Sequence, residues 1–435
     1  MLTRKLTPFK EERFLELREI LRSADVAFAN LEGTVHTWDE GTPGITQGTF
    51  MTTDPRLLDD LKWFGINIVS CANNHAFDYG EGGVLANIKH LDDAGIAHAG
   101  TGRNLAEARS PAYLDTPNGR IALIAATATF RPWNQAGEQR PDLGGRPGIN
   151  PLGFRTTYSV DAVAFEQLQR ISRALGFEKS HERARKHFYS DKEIPDAKSR
   201  ELNLLGTRYV TGEGFSIATE ANERDLRDNL RWINEARRQA DWVVVSVHCH
   251  EFGGPTLLTA GSRAELEETA DFVTQFAHQA IDAGADILVS HGSHFPLGIE
   301  IYKGKPIFYS VGNFFFQNET VGFFPADAYE RFDLDLKATP SDFLDARTGG
   351  GKKGHPAEPA YWENMFAVCE FGGKKLKEIR IHPIDQGFGR PRPQRGRPVL
   401  AEGEVAERVL KGVARLSKRY GTKMAIRNGV GTISL

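Results

Sequence analysis

Six short runs along the chain are β-branched or continuously apolar: Val26–Ala29, Ile66–Cys71, Ile121–Ala126, Trp242–Val247, Ile287–Ser290 and Ile307–Val311. Unbroken runs of this length predict strands covered on both faces, because a strand with one wet face would alternate. Helical patterns lie between them. Asp54-Pro55 reads as an N-cap with proline at the first helical position, and Gly65 closes that helix. The same helix–Gly–strand junction recurs in "DDAGIAHAG" and "IDAGADILVS", where Gly95 and Gly284 suit the left-handed position after a helix. Two late strand-like runs, Met365–Phe371 and Leu376–Pro383, precede a helix from about Glu402 to Arg419. Strands alternating with helices predict a layered α/β fold.

Two stretches interrupt this rhythm. Residues 131–220 are rich in Arg, Gly, Pro and charge, and predict a partly helical insertion into a core spanning 1–320. Residues 321–360 contain "TGGGKKGHPAEP", which predicts a flexible loop by composition. The strands and helix of 361–435 are expected to complete the same domain.

Four predicted strands end in polar side chains of one chemical kind. Asn30 and Glu32 follow the first, Asn73, Asn74 and His75 the second, His248 and His250 another, and His291 and His294 a fourth. Each cluster alone also reads as a polar turn. Together, on parallel strands, they would meet at one sheet edge, where open α/β sheets build their sites. Imidazole, carboxylate and amide oxygen form a ligand set for Zn, Mn or Fe. No serine sits on a nucleophile-elbow turn, so a Ser–His–Asp triad is disfavoured. Of the two histidines in "VHCH", His250 is expected to be solvent-facing or supporting. Asp78, three residues beyond His75, either orients that ring or caps a helix beginning near Gly80.

Composition narrows the function classes. The 435 residues carry a net charge of −3, which gives no basic field for nucleic acid. Three cysteines form no disulfide framework and suit a reducing compartment. The apolar runs are too short to span a bilayer, and the first twenty residues lack a signal-like apolar core. As written, the chain is expected in the cytoplasm; an export signal or anchor further upstream would move it to the cell envelope. The Arg390, Arg392, Arg395 and Arg397 loop reads either as an anion grip or as a solvated, proline-spaced surface.

The stretches "ADVAFANLEG", "NIVSCANNHAFDYG", "VVVSVHCHEF" and "GADILVSHGSHFPLGIEIYKGKPIFYSVGNFFF" resemble the bacterial capsule-synthesis (CapA, poly-γ-glutamate synthesis) family, itself similar to calcineurin-like metallophosphoesterases. The resemblance covers about residues 1–130 and 220–320 and returns near the C-terminus. It implies a four-layer α/β/β/α sandwich with one or two divalent transition-metal ions at the strand ends. Carried over, it implies Glu32 as the carboxylate between two metals, Asn74 as an amide ligand, and His248, His291 and His294 as imidazole ligands. It further implies His75 as the acid beside the leaving group, with Asp78 behind it. The family opens on a strand ending in Gly-Asp, text that would precede Met1-Leu2-Thr3; an upstream strand and a further ligand are therefore expected. The implied function is a metal-dependent hydrolase acting on a phosphoester or anionic surface polymer, alongside capsule-synthesis proteins. The alternative is a non-catalytic binding or export component that retains the fold.

Overall fold

The computed structural model describes all residues except 46–47, 188–199 and 254–266, and the chain divides into two compact units. The larger comprises Met1–Leu152, Asp225–His250 and Ala277–Leu435; the smaller comprises Gly153–Arg224 and Glu251–Phe276.

The larger unit begins with helix α1 (Glu12–Arg22) and a three-stranded parallel sheet, β1 (Phe28–Asn30), β2 (Ile68–Ser70) and β3 (Ala97–Ala99), in that order. Helix α2 (Leu58–Phe64) lies between β1 and β2, and α3 (Gly80–Ala94) between β2 and β3. The predicted stops are real: Gly65 and Gly95 take φ of 105° and 67°. Asp54 caps the turn leading into α2 by accepting from the Arg56 N–H.

A second sheet has six strands. β4 (Ala112–Thr116), β5 (Gly119–Thr127), β6 (Trp242–His248), β7 (Ile287–His291), β8 (Ile299–Tyr302) and β9 (Lys305–Phe308) adopt the order β8-β9-β7-β6-β5-β4. The four central strands are parallel and the two edges antiparallel. Their centre is as buried as the unbroken apolar runs require: Leu123, Ile124, Val245 and Leu288 are at most 1% exposed.

Helix α4 (Pro340–Thr348) then precedes an antiparallel sheet of β10 (Glu363–Gly372), β11 (Lys375–Asp385), β12 (Val399–Leu400), β13 (Ala425–Arg427) and β14 (Val430–Ser434). Helix α5 (Gly403–Ser417) lays Ala406, Val409, Leu410, Val413 and Leu416 against it, a single stripe at helical spacing. The result is a mixed α/β fold.

Among the described residues, β1 pairs only with β2, and β10 only with β11. The outer sides of both strands border an apolar cavity of about 810 Å³, lined by Phe28, Ala29, Val289, Val368 and Cys369 and reaching Glu32 and His291 at one end.

Two boundaries differ from the sequence expectation. Residues 131–152 belong to the larger unit: Asn150, fully buried, donates to the Ala125 carbonyl and to Asn229 Oδ1 at 2.9 and 2.8 Å. The smaller unit starts at Gly153 and carries its own four-stranded sheet, with Phe154 stacked on Phe272. Residues 321–360, expected as a flexible loop, contain α4 instead. Thr339 and Asp342 form a capping box there, and Phe343 and Leu344 pack with Phe50 and Tyr79. The glycine run that suggested flexibility begins only at Gly349, the left-handed stop of that helix.

Gly100 fixes the approach of the first two sheets. It takes φ of +101°, and a Cβ there would lie 2.6 Å from Ala72 Cβ and 2.9 Å from Ala125 Cβ. Gly100→Ala is expected to cost about 2–4 kcal/mol from backbone strain plus overpacking. A lowered urea midpoint at unchanged slope checks this.

Candidate metal centre

Strand register builds the site. β6 and β7 pair in parallel with His248 opposite His291, so two imidazoles leave the sheet side by side at its carboxyl edge. β6 ends at His248, and the Cys249 N–H donates to the His291 carbonyl at 2.8 Å. Residues 248 and 250 are two positions apart and share a face of an extended chain, so His250 joins the cluster directly instead of being the solvent-facing or supporting residue expected. His250 comes back beside His248, its N–H held by Thr129 Oγ1 at 2.9 Å. Gly292 makes room for it: at φ of +115°, a Cβ would lie 2.8 Å from His250 Cδ2 and 2.6 Å from the Cys249 carbonyl oxygen. His294 follows in the left-handed region at φ of 65°.

The rings form a chain. Ser246 Oγ lies 2.8 Å from His291 Nε2, His291 Nδ1 lies 2.9 Å from His248 Nδ1, and His248 Nε2 lies 3.0 Å from His250 Nε2. One tautomer set satisfies every contact: Ser246 donates to His291, His291 to His248, and His248 to His250. Glu32 closes the group. One of its oxygens and one nitrogen each of His248 and His250 lie within 4.8 Å of one another. The His294 ring is 5.5 Å from that of His250, centroid to centroid, and Asn313 Oδ1 accepts from its Nδ1 at 3.0 Å.

Asn73 joins the two loops that carry the remaining groups. Its Nδ2 donates to the Leu31 carbonyl at 2.9 Å, and its Oδ1 accepts from the His75 N–H at 3.1 Å and the Gly33 N–H at 3.3 Å. Asn73 is thus a structural staple, and Asn74 is left with its amide oxygen buried and without a hydrogen-bond partner. Asp78 caps no helix: the residue before α3 is Tyr79, with no side-chain cap. Its Oδ2 accepts from the Met51 N–H at 2.8 Å and lies 2.7 Å from His75 Nδ1. That contact fixes the ring and leaves His75 Nε2 for a reacting partner.

The electrostatics follow from burial. Burial drives the protons off the imidazoles: His291 falls from 6.5 to about 4, His250 to about 3 with His294 adding to the effect, and His248 falls well below the ordinary value. Burial opposes the charge on Glu32, but His294, His75 and His250 outweigh it and hold the carboxyl at about 2. Burial also opposes the His75 cation. Here the Asp78 carboxylate prevails and raises the ring above its usual value.

These donors fit a divalent transition ion. Neutral imidazoles and an ionised carboxylate are the ligating forms. Nitrogens about 2.1 Å from a shared ion sit roughly 3 Å apart, the spacing seen between His248 and its two neighbours. Among the described residues Glu32 Oε1 and Asn74 Oδ1 are buried without a hydrogen-bond partner, and both are oxygens a cation could accept.

Three further residues escaped the sequence reading. Ser246 is buried inside β6, Asn313 buttresses His294, and the His355 ring lies 4.9 Å from that of His294. His355 comes from the glycine-rich segment, where a lone histidine carries no periodic signal. The arginine loop, by contrast, faces inward. Arg395 makes two contacts with Glu319, at 2.5 and 2.6 Å, and covers Trp362; Arg397 pairs with Glu11 at 2.7 Å; and Arg392 pairs with Asp345 at 2.7 Å.

Residues 10–318 match the family described as bacterial capsule synthesis protein PGA_cap. The chain belongs to this family. Relatives include the uncharacterized protein y4sH of Sinorhizobium fredii, 36% identical over 97% of this chain and 88% of its own length. The PGA biosynthesis protein CapA of Bacillus subtilis is 35% identical over 26% of this chain and 28% of its own length. The capsule biosynthesis protein CapA of Bacillus anthracis is 22% identical over 70% of this chain and 53% of its own length. The matched region of the capsule synthesis family holds every group of the cluster from Glu32 to His294. Among the described residues no helix is long and apolar enough to cross a membrane.

The histidines give the metal-free chain a pH-dependent stability. An unfolded chain protonates these rings below about 6.5, whereas folded His291 and His250 wait until about 4 and about 3. Unfolding therefore takes up protons in that window, and stability falls as the pH drops through it. Denaturant midpoints of metal-free protein should decline from about pH 6.5 downward, and His250→Gln should flatten the slope.

Proposed function

We propose that this capsule synthesis family member is a metal-dependent hydrolase acting on a phosphoester or a related bond of an anionic surface polymer. The reading is carried by one observation: Glu32 and Asn74 present buried, partnerless oxygens beside a cluster of proton-poor histidines. A buried polar atom left unsatisfied costs about 1–3 kcal/mol, and a cation offsets that cost. Glu32, His248 and His250 are the nearest donors, with Asn74, His291 and His294 completing the set around one or two ions of Mn, Zn or Fe. When bound, such an ion would supply a water acidic enough to attack phosphorus near neutral pH and would polarise a phosphoryl oxygen.

The chain's own residues do the rest. Glu32 remains a carboxylate across the working pH range. Ser246 and Asn313 hold His291 and His294 in single orientations, which removes reorganisation from the reaction. His75, oriented through Nδ1 by Asp78 and carrying a raised proton affinity, presents an N–H at Nε2. It protonates the departing oxygen as the bond to phosphorus breaks, and Asp78 stabilises the ring in its charged form beforehand.

Elemental analysis and turnover of bis(p-nitrophenyl) phosphate test the assignment. His291→Ala should lose most bound metal and with it activity. His75→Ala should keep its metal and lose about a hundredfold or more in rate, as expected for a positioned general acid. Metal bound tightly with no turnover of any phosphoester would instead make the protein a binding component of polymer synthesis.

A further inference from the structure

Helix α4 carries a cation toward the His75 side of the site. Phe343 and Leu344 of α4 pack with Phe50 and Tyr79, the neighbours of Thr49 and Asp78. Arg347, in the last turn of the helix, donates through Nη1 to the Oγ1 of Thr49, a buried residue. The preceding residue, Gly48, lies against His75: a Cβ on it would sit 3.5 Å from His75 Cε1. The guanidinium charge is felt at His75 and at His355, whose ring neighbours that of His294. Arg347 thus stands beside both the proposed proton donor and the histidine cluster.

Its pairing sets it apart. Several other inward arginines are matched by carboxylates, Arg395 by Glu319, Arg397 by Glu11, and Arg109 by Asp225 and Asp228, while Arg4 donates to the Pro393 and Arg395 carbonyls. Among the described residues no carboxylate pairs with half-buried Arg347; its hydrogen-bond partner is a neutral hydroxyl. Burial, and after it the charge of a second cation, Arg331, make it harder to keep charged. A half-buried cation surrounded by imidazoles, a hydroxyl and another guanidinium lacks a counter-ion.

We infer that Arg347 is the specificity-determining residue of the site, gripping the non-bridging oxygens of the substrate's phosphoryl group. The planar fork offers two parallel N–H donors, which match two oxygens of one phosphate, while Thr49 holds the remaining edge. The phosphoryl group completes the charge balance that the fold leaves open. In that position it lies between the guanidinium and the histidine cluster, with its leaving oxygen towards His75. The assignment rests on the hydrolase reading, since it takes the anion to be a phosphoryl group.

Arginine labelling with phenylglyoxal, read by peptide mass spectrometry on the full chain loaded with Mn²⁺, tests it. Millimolar inorganic phosphate should slow labelling at Arg347 several-fold, and the same concentration of glutarate should not. Arg347→Gln should raise KM for bis(p-nitrophenyl) phosphate about ten- to hundredfold, the range for a hydrogen bond to a charged group. Metal per chain and melting temperature should stay as in the parent, and Arg347→Lys should recover part of the loss. Unchanged labelling in phosphate, equal protection by glutarate, or an unaltered KM in Arg347→Gln would overturn the inference. A parent protein with metal but no turnover would count against the hydrolase reading alone, because labelling reports on Arg347 without catalysis.

Discussion

The in-register parallel ladder of β5, β6 and β7 is the constraint on which the site depends. His248 lies opposite Thr127 on one side and His291 on the other, so the three strands end flush. At the opposite end of the ladder, buried Asp286 accepts from the Val243 N–H and from Arg237 and Lys305, which ties β6, β7 and β9 at their starts. A slip of one residue would turn every side chain to the other face of the sheet. It would bury apolar positions wrongly and separate the two imidazoles at once. Folding and ligand placement are therefore the same event, enforced by the same hydrogen bonds.

Electrostatically, the interior sorts its charges by partner. Arginines that tie distant segments together meet carboxylates, while the strand-edge cluster gathers bases without protons around a single carboxylate. Burial does the sorting. It strips the proton from His248, His250 and His291, and is overruled at Glu32 by neighbouring imidazoles and at His75 by Asp78, at hydrogen-bond distance. On the proposed reading, one residue type would serve twice, as electron-pair donors in the pocket and as a proton donor at its rim.

Much of this was legible in the sequence because it depends on local pattern. The strands ending near Glu32, Asn74, His248 and His291 are short apolar runs followed by polar residues, and the glycine stops at Gly65, Gly95 and Gly284 need only the chain's own chirality. What was not legible depends on which distant segment arrives. His250 is fixed in the cluster because Thr129, 121 positions away, holds its N–H beside His248. Arg397 became a tie rather than a grip because Glu11, 386 positions away, lies beside it. Helix α4 did leave a trace, the Thr339–Asp342 capping box, overshadowed by the glycine run after it.

The cavity beside β1 and β10 bears on how the protein behaves in company. Among the described residues each of these strands pairs with one neighbouring strand, which leaves its other long side without a strand partner. Backbone groups recognise any extended chain, whatever its side chains, so such an edge is a template for self-association. Here the template sits over apolar walls rather than over water, and solubility is therefore a question of concentration and of how tightly the two sheet edges close. Surface charge does not govern it, because the vulnerable groups belong to the main chain.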